Sequence, residues 1–208
     1  MRLRYFLEDI FGQKSKIKIL RVFFKTKMAL TGRQVAELAA LNHRTCQLAL
    51  ADLEEQALIK ARQVGRASLF ELNEANRFVT TNLFRFFQEE ENLLKNFTLE
   101  VLADAKSQID SLILFGELVQ GREKEDSEVN FLVVSSASKD KLEKIFQPVG
   151  AAFFTSFGKI TNVYLTSKRE LLEKIRRSEP LFREAVKTGR VLFGQNISEI
   201  LSHGHREK

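Results

Sequence analysis

Apolar positions in the first 73 residues repeat at helical spacing and then at strand spacing. Ile17, Leu20, Val22, Phe23 and Phe24 form a helical stripe behind Ser15, which the pattern predicts as an N-cap. Met28-Ala29-Leu30 reads as a short extended link. Thr31-Gly32-Arg33-Gln34 is a capping box, in which the Thr31 hydroxyl can accept from the third helical amide and Gln34 can reach back. Val35, Leu38 and Ala39 give a second helix its inner face. After the turn Ala40-Leu41-Asn42, with Asn42 as cap, a third helix runs through Gln56. Its inward stripe is Cys46, Leu50, Leu53 and Ala57, with Ala49 between. Its other face presents His43, Arg44, Thr45, Gln47 and Asp52. The chain turns extended over 58–62, Gly65 supplies the turn, and 67–72 alternates back as a second strand. Three helices followed by a hairpin is the order of a winged helix-turn-helix.

Residues 76–107 carry apolar positions at three- and four-residue spacings: Phe78, Leu83, Phe86, Phe87, Leu93, Leu94, Phe97, Val101 and Leu102. The pattern predicts one long helix whose stripe must be buried by a second domain or a second subunit. Strand and helix patterns alternate beyond it. Strands are predicted over 112–115, 129–134 and 160–165, with a last short one at Val191-Leu192-Phe193. Residues 139–157 read as a helix. Ser167-Lys168-Arg169-Glu170 is a second capping box, and Pro180 suits the first turn of a further helix. The tail from His203 to Lys208 is polar and is expected to fray.

Charge separates the two parts. Residues 1–73 hold 13 of the 33 Lys and Arg but only 7 of the 27 Asp and Glu, so the net charge of +6 resides there. A basic segment on a neutral body is the electrostatic footprint of a nucleic-acid-binding module. The single cysteine, Cys46, lies on an inward stripe and excludes an internal disulfide and a Cys-rich zinc site. No apolar run approaches a membrane span, and the charges at Arg2, Arg4, Glu8 and Asp9 do not suit a signal peptide. A cytoplasmic protein is expected. The 18 Phe residues, lacking polar atoms, should fill cores and interfaces.

Residues 1–73 resemble the winged helix-turn-helix domains of bacterial regulators of the MarR and ArsR type. The resemblance rests on Lys18-Ile19-Leu20, on Gly32-Arg33-Gln34-Val35-Ala36, and on Leu48, Leu50, Leu53 and Glu54. It continues through Ala57-Leu58-Ile59 and Val64-Gly65-Arg66 to Phe70, Leu72 and Asn73. Recognition helices place N-terminal side chains against base edges in the major groove, here His43, Arg44, Thr45 and Gln47. Arg can pair with guanine and Gln with adenine. Arg33 is placed for a phosphate, and Arg62 and Arg66 flank the wing tip.

Residues 110–195 are similar to the small nucleotidyltransferase domains related to kanamycin nucleotidyltransferase and DNA polymerase beta. The frame is Leu112-Ile113-Leu114-Phe115-Gly116, then Gly121, then Asp126-Ser127-Glu128-Val129-Asn130-Phe131-Leu132-Val133-Val134. The resemblance implies a Ser after the first glycine and two or three carboxylates that hold divalent metal on a nucleoside triphosphate. This chain has Glu117 in the serine position, Glu128 and Asn130 in the paired carboxylate positions, and Asn162 near the later one. The expected vestigial site is therefore Gly116, Glu117, Glu128, Asn130 and Asn162, with no catalytic residue, metal ligand or cofactor.

The resulting expectation is an α+β chain. A winged helix-turn-helix DNA-binding domain spans 1–75, a linker and dimerisation helix 76–109, and a nucleotidyltransferase-like domain 110–208. Its expected function is a DNA-binding transcriptional regulator that binds double-stranded DNA as a homodimer, its second domain serving as effector or dimerisation platform. The alternatives are nucleotide transfer to a protein or small molecule through an altered site at Glu128, and an antitoxin-like partner of a helical toxin.

Overall fold

Two capped helices organise the first part of the chain, which a computed structural model describes over residues 6–203. The expectations for Arg2, Arg4 and the tail beyond His203 lie outside the described residues. Thr31 caps α3 (Gly32–Leu38): its hydroxyl accepts from Gln34 N–H at 3.3 Å, and its own N–H donates to Gln34 Oε1 at 2.9 Å. Asn42 caps α4 (His43–Glu55), with Oδ1 accepting from Thr45 N–H at 2.8 Å. Ahead of them lie α1 (Phe6–Phe11), α2 (Lys14–Thr26) and the two-residue β1 (Leu30–Thr31). Behind them β2 (Ile59–Val64) and β3 (Ala67–Leu72) form a hairpin. Val64 pairs with Ala67 across Gly65-Arg66, and β1 joins the far side of β3, so the sheet order is β1-β3-β2.

The α4 helix ends in a Schellman motif. Leu58 N–H reaches Leu53 C=O at 2.9 Å and Ala57 N–H reaches Glu54 C=O at 2.8 Å, with Ala57 left-handed at φ 56°. The Ala57 carbonyl in turn accepts from the amides of Asn73 and Asn76 at 2.8 and 3.0 Å. Ala57 is therefore exposed rather than part of the inward stripe, and Leu58 takes the buried place. Two further expectations are corrected. Gln13, whose side chain makes no capping hydrogen bond, occupies the cap of α2, and Ser15 lies inside the helix. Leu38 is 56% exposed, and the inner face of α3 is Val35, Ala36 and Ala39.

The core of this part joins Ile19, Leu20 and Phe23 of α2 to Val35, Cys46, Leu50, Leu53 and Phe70. Each buried side chain of this kind contributes about 1.5–3 kcal/mol. Lys16, its side chain 4% exposed, bridges to Asp52 on α4 at 3.0 Å. Arg21 grips Glu90 through two hydrogen bonds of 2.9 and 2.7 Å, which raises its guanidinium pKa above the ordinary value.

The predicted helix over 76–107 runs without interruption from 77 to 101 and then tightens at its end. A π-helical turn at Val79–Leu83 leads into α5 (Phe84–Val101), and a 3₁₀ turn follows at Ala103–Gln108. The chain divides into two compact units between Asn92 and Leu93, inside α5. The apolar stripe is shared out accordingly. Leu83 and Phe87 belong to the core of the first unit, with Phe78 against it, whereas Leu94, Phe97, Val101 and Leu102 serve the second. Only Phe86 and Leu93 of that stripe stay half exposed, so most of it needs no second subunit to cover it.

The second unit is built on β4 (Ser111–Phe115), β5 (Val129–Val134), β6 (Thr161–Thr166) and β7 (Arg190–Gly194), in the order β6-β5-β4-β7. β4 is antiparallel to β5 and β7, and β5 is parallel to β6. A parallel pair needs a crossover, supplied here by α6 (Lys139–Phe157). Beyond β6 run α7 (Lys168–Arg176), α8 (Pro180–Thr188) and, after β7, α9 (Ile197–His203). Ser167 closes its capping box with Glu170, and Pro180 opens α8, where the sequence places both. Alternate strand residues bury on opposite faces. Leu112, Leu114, Phe131 and Val133 meet Phe146, Val149 and Phe153 of α6, whereas Ile113, Phe115, Leu132 and Val134 meet Leu171, Phe182, Ala185 and Ile200. Cover on both faces explains why 112–115 of β4 and 131–134 of β5 read as unbroken apolar runs. Among the described residues, no helix is long and apolar enough to cross a membrane.

Candidate functional site

Caps position the candidate nucleic-acid residues of the first unit. Arg33 follows the start of α3, and His43 and Arg44 open α4; all three are exposed. Arg66 is exposed in the hairpin turn beside Gly65, whose φ of 60° at the first central position is the type II′ pattern. Arg62, also exposed, stands 3.9 Å from Glu71 on the neighbouring strand. Thr45 and Gln47 are less open. Thr45 N–H is taken by Asn42, and Gln47 folds against the start of α3. The outward faces of α3 and α4 also carry Leu38 and Leu48, the latter 65% exposed. Both fall in the apolar pattern of the sequence, whose spacing alone does not separate a flank from the buried stripe. Cys46 is wholly buried, its thiol donates to Gly32 C=O at 3.7 Å, and burial pushes its pKa up, all of which suits a core residue.

An open cleft of about 750 Å³ in the same unit has Phe23, Phe24, Leu72, Val79 and Phe84 among its walls, and Lys27, Lys60, Glu71 and Glu74 around them. Nothing in the sequence singles it out, because its walls come from distant segments that look like ordinary core and strand.

In the second unit the strand ends bring Glu128, Asn130 and Asn162 together. Asn130 pairs with Phe115 on one side and Asn162 on the other. Asn162 Nδ2 donates to Glu128 Oε2 at 2.6 Å and to Asn130 Oδ1 at 3.0 Å. Gly116, at φ 93°, follows β4 directly, and a Cβ there would lie 3.0 Å from Asn130 Nδ2. Glu117 points to the loop ahead of β5 instead and accepts a hydrogen bond from Ser127 Oγ. Lys159 ties that loop down, donating to the carbonyls of Lys124 and Glu125 at 3.1 and 2.9 Å and standing 3.4 Å from Glu123.

A divalent cation of the magnesium type asks for converging oxygen ligands, commonly with more than one carboxylate. The trio offers one carboxylate, and the Asn162 amide already occupies one of its oxygens. Among the described residues, no three His, Cys, Asp or Glu side chains gather as a metal site. These residues do not fit the metal that the sequence resemblance implies.

No protein-family model matches the chain, and no curated protein does. Solved structures with partial likeness include the following three. A mutant of the toxin–antitoxin MntA-HpeT aligns at 15% identity and TM-score 0.37, covering 53% of this chain and 86% of that one. A toxin–antitoxin structure with AMP-PNP aligns at 14% and 0.38 over the same shares. Human N-acetylserotonin methyltransferase in complex with SAM aligns at 12% and 0.24, covering 48% of this chain and 37% of its own. At identities and TM-scores this low the likenesses assign neither fold nor function, and what the chain can do rests on its own residues.

Proposed function

We propose that this chain is a DNA-binding regulator with a winged helix-turn-helix in its first unit and a nucleotidyltransferase-like second unit that does no chemistry. The observation that carries the reading is the placement of exposed arginines. Arg33 and Arg44 stand at two capped helix starts and Arg66 at the tip of the hairpin, in the segment that holds the whole charge excess. Arg44, with His43, is the base-reading candidate, and Arg33 and Arg66 are phosphate contacts. In the second unit, the replacement of a carboxylate pair by Glu128 and Asn130 removes the cation that phosphoryl transfer depends on. Selection of bound duplexes from a random pool, at a stated salt concentration, is the direct test. A recovered sequence preference supports the proposal. Binding no tighter than that of a neutral control protein at low salt overturns it.

A second reading is an antitoxin-like partner of another protein. Leu38 and Leu48, exposed on the outward faces of α3 and α4, favour it, because apolar side chains there suit a protein surface better than phosphates. Loss of partner capture in Leu48→Lys, with duplex binding absent from the parent protein, would select this reading.

A further inference from the structure

The two edges of the second sheet are not alike. β7 begins at the exposed Arg190, pairs with β4 through a register shift at Leu112 and Ile113, and ends at Gly194 with φ 86°. Charge, irregular register and a kinked end are ways in which edge strands avoid pairing with other chains. β6 has none of them. Thr161-Asn162-Val163-Tyr164-Leu165-Thr166 carries no charge, proline or glycine, and pairs with β5 in unbroken register.

The hydrogen bonds show which backbone groups of β6 face outward. Ile160 C=O accepts from Val129 N–H at 2.9 Å, and Thr166 C=O accepts from Ser135 N–H at 3.0 Å. Successive residues of a parallel ladder alternate in direction, so Asn162 and Tyr164 also turn toward β5. Thr161, Val163 and Leu165 then present N–H and C=O to the open edge. The flank above this edge is apolar. The buried stripe of α6 is Leu142, Phe146, Val149 and Phe153. Gly150 lies beside that stripe on the β6 side, where a Cβ would come 3.2 Å from Thr161 Oγ1. Phe154, one turn along from Gly150, is 65% exposed, and Ile160, just ahead of the strand, is 58% exposed.

We propose that a second copy of this chain pairs antiparallel along β6, about a two-fold axis at Val163, to make one sheet continuous across both copies. Opposed residues of an antiparallel pair share a face, and a symmetric pairing must match residue with residue. Centring on Val163 sets it against itself and Thr161 against Leu165, so every outward-facing residue of β6 is used. A register centred on Tyr164 would call on Ser167 N–H, which already donates to Glu170 Oε2 at 3.1 Å. No charge of β6 meets another, and the exposed Phe154 side of α6 lies along the join in both copies. On the other face Asn162 comes opposite Tyr164 of the second copy, so pairing places an aromatic ring beside the Glu128, Asn130 and Asn162 group. The surface is independent of what the first unit binds.

The test uses the full chain. Sedimentation from low to high micromolar concentration should show twice the 23.9 kDa mass. In hydrogen exchange, the Val163 and Leu165 amides should be slow in the dimer and fast on dilution, while Asn162 and Tyr164 stay slow in both. Val163→Pro removes an outward N–H that the internal ladder does not use, and Phe154→Lys charges the flank. Each should weaken dimerisation at least about tenfold. A monomer at every concentration overturns the proposal. So does a dimer whose Val163 and Leu165 amides exchange fast, or one that Phe154→Lys leaves unchanged if Val163→Pro fails to fold.

Discussion

Gln47 lies over Gly32 so closely that a Cβ on residue 32 would come 2.4 Å from Gln47 Nε2. The glycine is therefore what allows the Gln47 amide to fold back onto the start of α3. Gly32→Ala should displace the end of that flexible side chain with little loss of stability, under about 1 kcal/mol. If the first unit reads duplexes as proposed and Gln47 joins Arg44 in doing so, it should change the preferred sequence in the same direction as Gln47→Ala. Chemical denaturation and duplex selection on both variants check this, and a Gly32→Ala protein with unaltered preference would remove Gln47 from the contact set.

Arg44→Ala should relax discrimination between sequences by about 1–3 kcal/mol. Arg66→Ala should weaken all duplexes alike and reduce the slope of log affinity against log salt by about 1. Titrations at several salt concentrations separate the two effects. Equal losses on every sequence for Arg44→Ala would make it a phosphate contact.

Ala57 holds a left-handed conformation in the Schellman motif that ends α4. A Cβ in that region costs about 1–2 kcal/mol, so Ala57→Gly should raise stability by about 1 kcal/mol, part of the gain being offset by a freer unfolded chain. The urea midpoint should rise with an unchanged slope. A fall in midpoint would show that the Ala57 methyl does unrecognised packing.

Glu170 is held below the usual carboxylate range, chiefly by the Ser167 N–H it accepts, with Lys139 and Lys174 assisting. A depressed folded value gives stability that is complete above the unfolded carboxyl pKa, about 4.3, and is lost as pH falls through the folded value. Urea midpoints measured from neutral pH downward should therefore fall less steeply in Glu170→Gln than in the parent. Ser167→Ala should cost about 1 kcal/mol at neutral pH.

Calorimetry with Mg²⁺ or Mn²⁺ and each of ATP, GTP, CTP and UTP should detect no tight, metal-dependent binding, because Glu128 stands as a lone carboxylate beside Asn130 and Asn162. Tight binding abolished by Glu128→Ala would overturn the non-catalytic reading. The quadruple change Glu117→Ser, Glu128→Asp, Asn130→Asp and Asn162→Asp should gain metal-dependent nucleotide binding if the sequence resemblance is sound.

What could be read in the sequence is what local physics writes there. Thr31 and Asn42 announce their helices because a short side chain must satisfy a free amide at a helix start. Residues 129–134 announce β5 because both of its faces are buried. Of the five positions that the resemblance singles out, Glu128, Asn130 and Asn162 meet, since parallel in-register pairing of β5 and β6 sets Asn130 against Asn162, whereas Glu117 turns to Ser127. What could not be read depends on distant partners. The exposure of Leu38 and Leu48 is fixed by which neighbours α3 and α4 pack against. The π turn inside the helix and the 3₁₀ turn at its end leave the apolar spacing of 76–107 almost unchanged. α1 and α9 are short, and each offers too few buried apolar positions, Ile10 and Ile200 among them, to mark a helical period.

The boundary between the two units falls within α5, between Asn92 and Leu93, and this governs how the chain can be cut. A protease needs an extended stretch of backbone, which an intact helical ladder denies it. Brief digestion should therefore not release the units at their boundary. The exposed run 121–126 ahead of β5 and the hairpin tip at Gly65-Arg66 offer better substrates. A fragment designed to stop at Asn92 would leave the helix without its second half, so an excised unit should carry α5 to Val101.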